Sequence, residues 1–213
     1  MRAVVIFIAV LCTVLSPSVQ AMEFTTVTAP DGIRIVLAKG EIVPGDAARL
    51  VVFLASTDRD PWGNKQLALS SGGGSVAAAF DKVVVMDRER VSTFVPPNIS
   101  CASACAQVLF VSGIHRLVLD GGRLGIHTCS RAGKASELCN ERIASNAVAH
   151  GVAHGAVMAS MQFVSPDGMA WFSAADADCW GLTRWPPGYH RGVSPGEVAP
   201  CAMEMFRRSR GGR

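Results

Sequence analysis

Beyond its first fifteen residues the chain has no apolar run long enough to cross a bilayer as a helix. It has no C-x-x-C pair and no cysteine–histidine cluster at zinc spacing, so its cysteines are not expected to hold a metal. Neither G-x-x-x-x-G-K-S/T nor G-x-G-x-x-G occurs, which removes the two common phosphate-cradling loops. No internal repeat and no low-complexity segment is present. Charge of one sign is lacking as well. The chain has 20 Lys and Arg against 17 Asp and Glu, but Arg2 lies in the N-terminal segment and Arg207, Arg208, Arg210 and Arg213 lie at the far end. The body between them therefore carries no basic footprint for nucleic acid.

The N-terminus has the composition of a secretory signal. Arg2 gives a positive start, residues 3–15 are apolar except for Thr13, and Ser16-Pro17-Ser18 ends the helix. Val19-Gln20-Ala21 then supplies small residues where a signal peptidase cuts. Residues 1–21 are expected to be removed on export, the competing reading being an uncleaved N-terminal anchor. Cys12 is not expected to be a lipoprotein site, because Leu11 stands before it. Residues 22–185 are expected to form one domain with a full core, and residues 186–213 an irregular extension with a basic tail.

Six cysteines follow the signal, and export would place them where disulfides persist. Cys129 and Cys139 bracket a short polar segment that a bridge would close, and Cys179 with Cys201 would tie the C-terminal wrap to the body. Cys101 and Cys105 are four apart on an expected helix, where side-chain directions fit a bridge poorly. Their Cα atoms would still be close enough for a bridge, so a bridge and a pair of small packing residues both stay open.

Along the chain, short apolar runs alternate with turn signals. Residues 24–28, 33–37, 50–54 and 66–69 read as strands, and Pro30-Asp31-Gly32 separates the first two. Residues 40–48 read as a short strand leading into a helix start. Residues 76–85 suit a buried helix, 91–95 a strand, 103–111 a small-residue helix, and 115–119 and 124–128 strands. A single long helix is expected over 136–163, and Ser173 is placed to cap a short one. Strand, glycine turn and helix in this order argue for an α/β fold with a mainly parallel sheet.

Three pieces carry chemistry together. The glycine turn Ser71-Gly72-Gly73-Gly74-Ser75-Val76 lets backbone N–H groups approach a ligand without side chains in the way. Ser103, in Cys101-Ala102-Ser103-Ala104-Cys105, opens a helix whose first free N–H groups and dipole would stabilise an oxyanion. His127, in Leu124-Gly125-Ile126-His127-Thr128, ends an apolar strand and would serve as general base. Each alone is more often structural: a turn, an N-cap, a core histidine.

Their order changes the odds. A glycine turn, a serine helix 30 residues after Gly73 and a strand-histidine 24 residues later resemble the Clp-protease proteolytic subunit family of the crotonase-like superfamily. Gly40-Glu41-Ile42 and the closing Ser173-Ala174-Ala175-Asp176-Ala177 to Trp180-Gly181-Leu182 are similar to that family's opening and closing segments. Among its branches, the chain looks closest to periplasmic Clp-like serine proteases. The resemblance implies a ββα superhelix, Ser103 as nucleophile, His127 as base, and the N–H groups of Gly73 and Ala104 as oxyanion donors. The family's third member is an aspartate where this chain has Met169. Asp167, two residues earlier, is the expected substitute, ahead of Asp176 and Asp178. Gly72 stands where the family's turn has proline.

The implied function is a periplasmic serine peptidase acting on peptides or unfolded chains, without cofactor or metal and without an ATP-driven unfoldase. A homo-oligomer built on the long helices is also implied. The alternative is an inactive Clp-like protein that binds a partner or peptide in the same cleft. An acyl-CoA enzyme of the crotonase group is set aside, since those enzymes use no such Ser/His pair. His150 and His154 would share a helix face, but Gly151 stands where a zinc peptidase has its glutamate. Lys134 as a dyad lysine fits less well than His127.

Overall fold

The computed structural model describes residues 21–189. The signal-like segment and most of the C-terminal extension, with Cys201 and the basic tail, lie outside the described residues. The chain enters as β1 (Glu23–Thr28) and returns antiparallel as β2 (Arg34–Lys39). Gly32, at φ 86°, makes the turn between them. Then follow α1 (Asp46–Ala55), β3 (Lys65–Ser70), α2 (Val76–Glu89) and β4 (Val91–Val95). β2, β3 and β4 pair in parallel, as strand–helix–strand crossovers require.

β5 (Ser100–Ala102) leaves this sheet and leads into an irregular helix, π-type over Cys105–Leu109 and 3₁₀ over Phe110–Ser112. β6 (Arg116–Val118) rejoins the first sheet parallel to β4. β7 (Arg123–Ile126) runs parallel to β5, and a hairpin of β8 (Ser130–Arg131) and β9 (Lys134–Ala135) follows. Next come α3 (Glu137–Ala149), α4 (His154–Gln162), β10 (Ala170–Ser173) and α5 (Ala174–Cys179). β10 closes the second sheet antiparallel to β7, in the order β10-β7-β5. The architecture is mixed α/β with parallel strands in both larger sheets. Among the described residues, no helix is long and apolar enough to cross a membrane.

Two expected elements differ. Residues 50–54, read as a strand, belong to α1: Asp46, Leu50 and Leu54 are buried at a spacing of four, while Val52 is 69% exposed. That is one helix face turned inward. The single helix expected over 136–163 is two helices, broken where Gly151 takes φ 80° and Val152 N–H returns to Ala147 O. This break places His150 at the end of α3 and His154 at the start of α4, so they share no helix face. His150 contacts Asp87 and His154 contacts Glu141 instead.

Two buried cations tie the layers. Lys82 of α2 lies 2.9 Å from Asp46 of α1, both side chains 1% exposed, and Asp46 also accepts the Val43 N–H. Arg116, 1% exposed, has no carboxylate partner among the described ion pairs. Its guanidinium donates instead to the carbonyls of Val111, Gly113, His150 and Leu182. Val111 and Gly113 end the helix that follows Ser103, and His150 caps α3. A cation among helix C-terminal carbonyls meets the negative end of each dipole. Burial pushes Arg116 down to about 10, assisted by nearby Arg184, which leaves it charged at neutral pH.

Replacing Arg116 by methionine orphans four carbonyls, each worth roughly 1–3 kcal/mol if left buried and unpaired. The Arg116→Met variant is expected to lose on the order of 3 kcal/mol or more in urea denaturation, with Arg116→Lys falling between it and the parent. A loss under about 0.5 kcal/mol, the size of an ordinary surface change, would remove Arg116 from this role.

Candidate active site

The parallel register Ala102↔Gly125 sets the site. Ser103 follows the last residue of β5 and His127 the last residue of β7, so both leave adjacent strands at their carboxyl ends. That is the edge of a parallel sheet where ligands bind. Ser103 Oγ lies 2.7 Å from His127 Nε2, and both residues are half-buried.

Ser103 takes φ 54°, a left-handed conformation that costs a non-glycine residue on the order of 1–3 kcal/mol. Several contacts hold it there. Its N–H donates to Gly125 O at 2.8 Å, and its carbonyl accepts the Gln107 N–H at 2.8 Å. Gly73, at φ 110°, abuts it: a Cβ added to Gly73 would stand 2.6 Å from Ser103 Cβ. Only glycine fits there. Cys101 and Cys105 are bridged, with Cα atoms 5.3 Å apart, which decides between the two readings left open by their spacing. They do not share a helix. Cys101 is on β5, Cys105 starts the π-helix, and the sharp turn at Ser103 swings their side chains together.

His127 is held from three sides. Buried Gln107 donates Nε2 to the His127 carbonyl at 2.9 Å. Thr128 donates its N–H to Val164 O and its Oγ1 to Met161 O, fastening the strand end to α4. The Cys129 N–H donates to Asn140 Oδ1 at 2.8 Å, and the expected Cys129–Cys139 bridge is formed, with Cα atoms 5.9 Å apart. Cys179 is also disulfide-bonded, while Cys201 lies outside the described residues. Gln107, Thr128 and Asn140 were not read from the sequence. The available signal was a lone glutamine in an otherwise apolar helix.

The carboxylate is not where it was expected. His127 Nδ1 is buried and has no hydrogen-bond partner among the described residues. Asp167 is exposed in the turn before β10 and forms no hydrogen bond to that nitrogen. Asp176 caps its own helix through Ser173, and Asp178 binds Thr183 and Trp185. The antiparallel register Ala170↔Ile126, continued by one residue, puts Met169 across from His127. A Cβ on Gly125 would stand 2.7 Å from Met169 Sδ, so the thioether packs tightly beside the histidine strand.

This matters for proton chemistry. A neutral imidazole has one N–H and one lone pair. For Nε2 to accept the Ser103 proton, Nδ1 must carry the hydrogen, and no described residue accepts it. The other tautomer satisfies the serine contact in the wrong sense, with Nε2–H donating.

The oxyanion side is half assembled. The Ala104 N–H belongs to the first turn of the helix, where donors lack intrahelical acceptors. The Gly73 N–H, however, donates to Ser71 Oγ at 3.1 Å. A developing oxyanion would have to displace that hydroxyl, and a charge-assisted bond is strong enough to do so. Lys134 sits exposed in β9.

If the Cys101–Cys105 bridge braces this turn, a Cys101→Ala/Cys105→Ala double variant should lose about 2 kcal/mol of unfolding free energy in the chain-entropy model. Unchanged denaturation midpoints would show that the turn holds itself.

The chain matches no protein-family model and no curated protein.

Proposed function

We propose that the protein is a serine peptidase of the Clp-like kind, working through Ser103 and His127 with no carboxylate to orient the ring. The 2.7 Å contact between Ser103 Oγ and His127 Nε2, on a strained turn at the carboxyl ends of two parallel strands, carries this reading. Ser103 Oγ attacks the peptide carbonyl carbon while Nε2 takes its proton. The Ala104 N–H, and the Gly73 N–H once freed from Ser71, hold the oxyanion. His127 returns the proton to the leaving amine, and water then cleaves the acyl–serine ester by the same route. The ββα superhelix of that family is the fold reading that goes with it. Two disulfides support an oxidising compartment, hence an exported, periplasmic protein. Without ATP there, an unfoldase partner is not expected, and substrates would be short or already unfolded.

One observation favours a second reading. The unpartnered Nδ1 of His127 is what an inactive relative would show if it had kept the cleft to bind a peptide or partner.

On the peptidase reading, Ser103→Ala abolishes hydrolysis of unfolded protein or peptide substrates and shifts stability by no more than about 1 kcal/mol. Undiminished hydrolysis by that variant would end the proposal. Met169→Asp would supply a carboxylate across from His127 and is expected to raise kcat on the order of 10²-fold, within the range of positioned acid–base groups. Met169→Asn, which has similar shape but no charge, should give no such gain. Equal rates for the two variants would show that ring orientation does not limit catalysis.

A further inference from the structure

We propose that an open cleft beside Ser103 receives a carboxylate-bearing group of the substrate, held by Arg131 and Arg142. The cleft has a volume of about 410 Å³, within the range of roughly 300–1,000 Å³ typical of ligand sites. It lies between α2, α3 and the β8–β9 hairpin, and although neither Ser103 nor His127 lines it, its wall includes residues one and two positions along the chain from the site. Gly74 lines it one residue after the glycine that abuts Ser103, and Cys129 lines it two residues after His127. A peptide bound with its carbonyl at Ser103 would therefore lay a neighbouring group into this space.

The lining is apolar along its walls, with Val76 and Phe80 of α2 and Leu138 of α3. Among the described residues that line it, Arg131 and Arg142 are the ionised side chains and none is acidic. Neither arginine forms an ion pair among the described residues. The Arg142 guanidinium carbon lies 5.3 Å from the Phe80 ring centroid, within cation–π range, which places its charge over the apolar wall. Lys134, opposite Arg131 in the hairpin, adds charge of the same sign. Two guanidinium forks over an apolar wall suit a carboxylate on a short aliphatic stem. A glutamyl side chain and a free peptide C-terminus both offer that chemistry.

The substrate class rests on the peptidase reading, but binding can be measured without turnover. Three dye-labelled peptides would be titrated by fluorescence anisotropy against the Ser103→Ala protein. One contains glutamate and has an amidated C-terminus, one has glutamine in its place, and one has glutamine with a free C-terminal acid. At least one acidic peptide should bind about tenfold more tightly than the glutamine amide, as a charge-assisted bond allows. The preference should shrink at high salt and vanish when Arg142→Gln and Arg131→Gln are added. Preference for the glutamate peptide identifies a side chain as the occupant, and preference for the free acid identifies a chain end. Equal affinity for all three, or a preference that survives both arginine substitutions, overturns the proposal. If the preference holds but the unmodified protein cleaves none of the peptides, the cleft assignment stands and the hydrolase reading falls.

Discussion

The left-handed turn at Ser103 is the constraint around which the site is organised. A residue with a side chain rests there only if its surroundings hold it, and four separate features do so: a glycine with no Cβ to clash, a hydrogen bond to β7, the first turn of an irregular helix, and a disulfide joining both arms. The turn lifts the hydroxyl out of the sheet at the point where β7 ends. The same β5–β7 register then delivers His127. A π-helical segment immediately after the serine fits this picture, since such departures from α geometry concentrate at functional sites.

The histidine is anchored through its backbone more than through its ring. Gln107, the Cys129 N–H bond to Asn140 and the Thr128 contacts to α4 fix where the strand ends, while Nδ1 is buried with no acceptor among the described residues. Geometry for attack is therefore present, and the device that selects the productive tautomer is not. The packing of Met169 against Gly125 gives a physical reason: the residue just before β10 makes an apolar contact with the histidine strand. Activity from such a pair would be modest, because nothing favours the tautomer that accepts the serine proton.

The sequence was most readable where a local rule leaves little choice. The order of glycine turn, serine and histidine led to three segments that meet in space, and Ser173 caps its helix with a reciprocal bond from Asp176. It was least readable where long-range packing overrode local pattern. Leu50-Val51-Val52-Phe53-Leu54 has the β-branched look of a strand, yet the spacing of Asp46, Leu50 and Leu54 makes it a helix. Cys101 and Cys105 looked wrong for a bridge only because a continuous helix was assumed through Ser103. Asp167 was chosen by proximity in sequence, and a turn carries it to the surface. Arg116 gives no sequence signal, because its partners are carbonyls drawn from four separate positions.

If His127 activates Ser103, the hydroxyl reacts with a fluorophosphonate, and the adduct can be located by peptide mass spectrometry on the folded, oxidised protein. A single phosphonyl adduct on Ser103, absent from a His127→Ala variant, is the expected outcome. An unmodified protein, or an adduct that forms equally fast without His127, would contradict it.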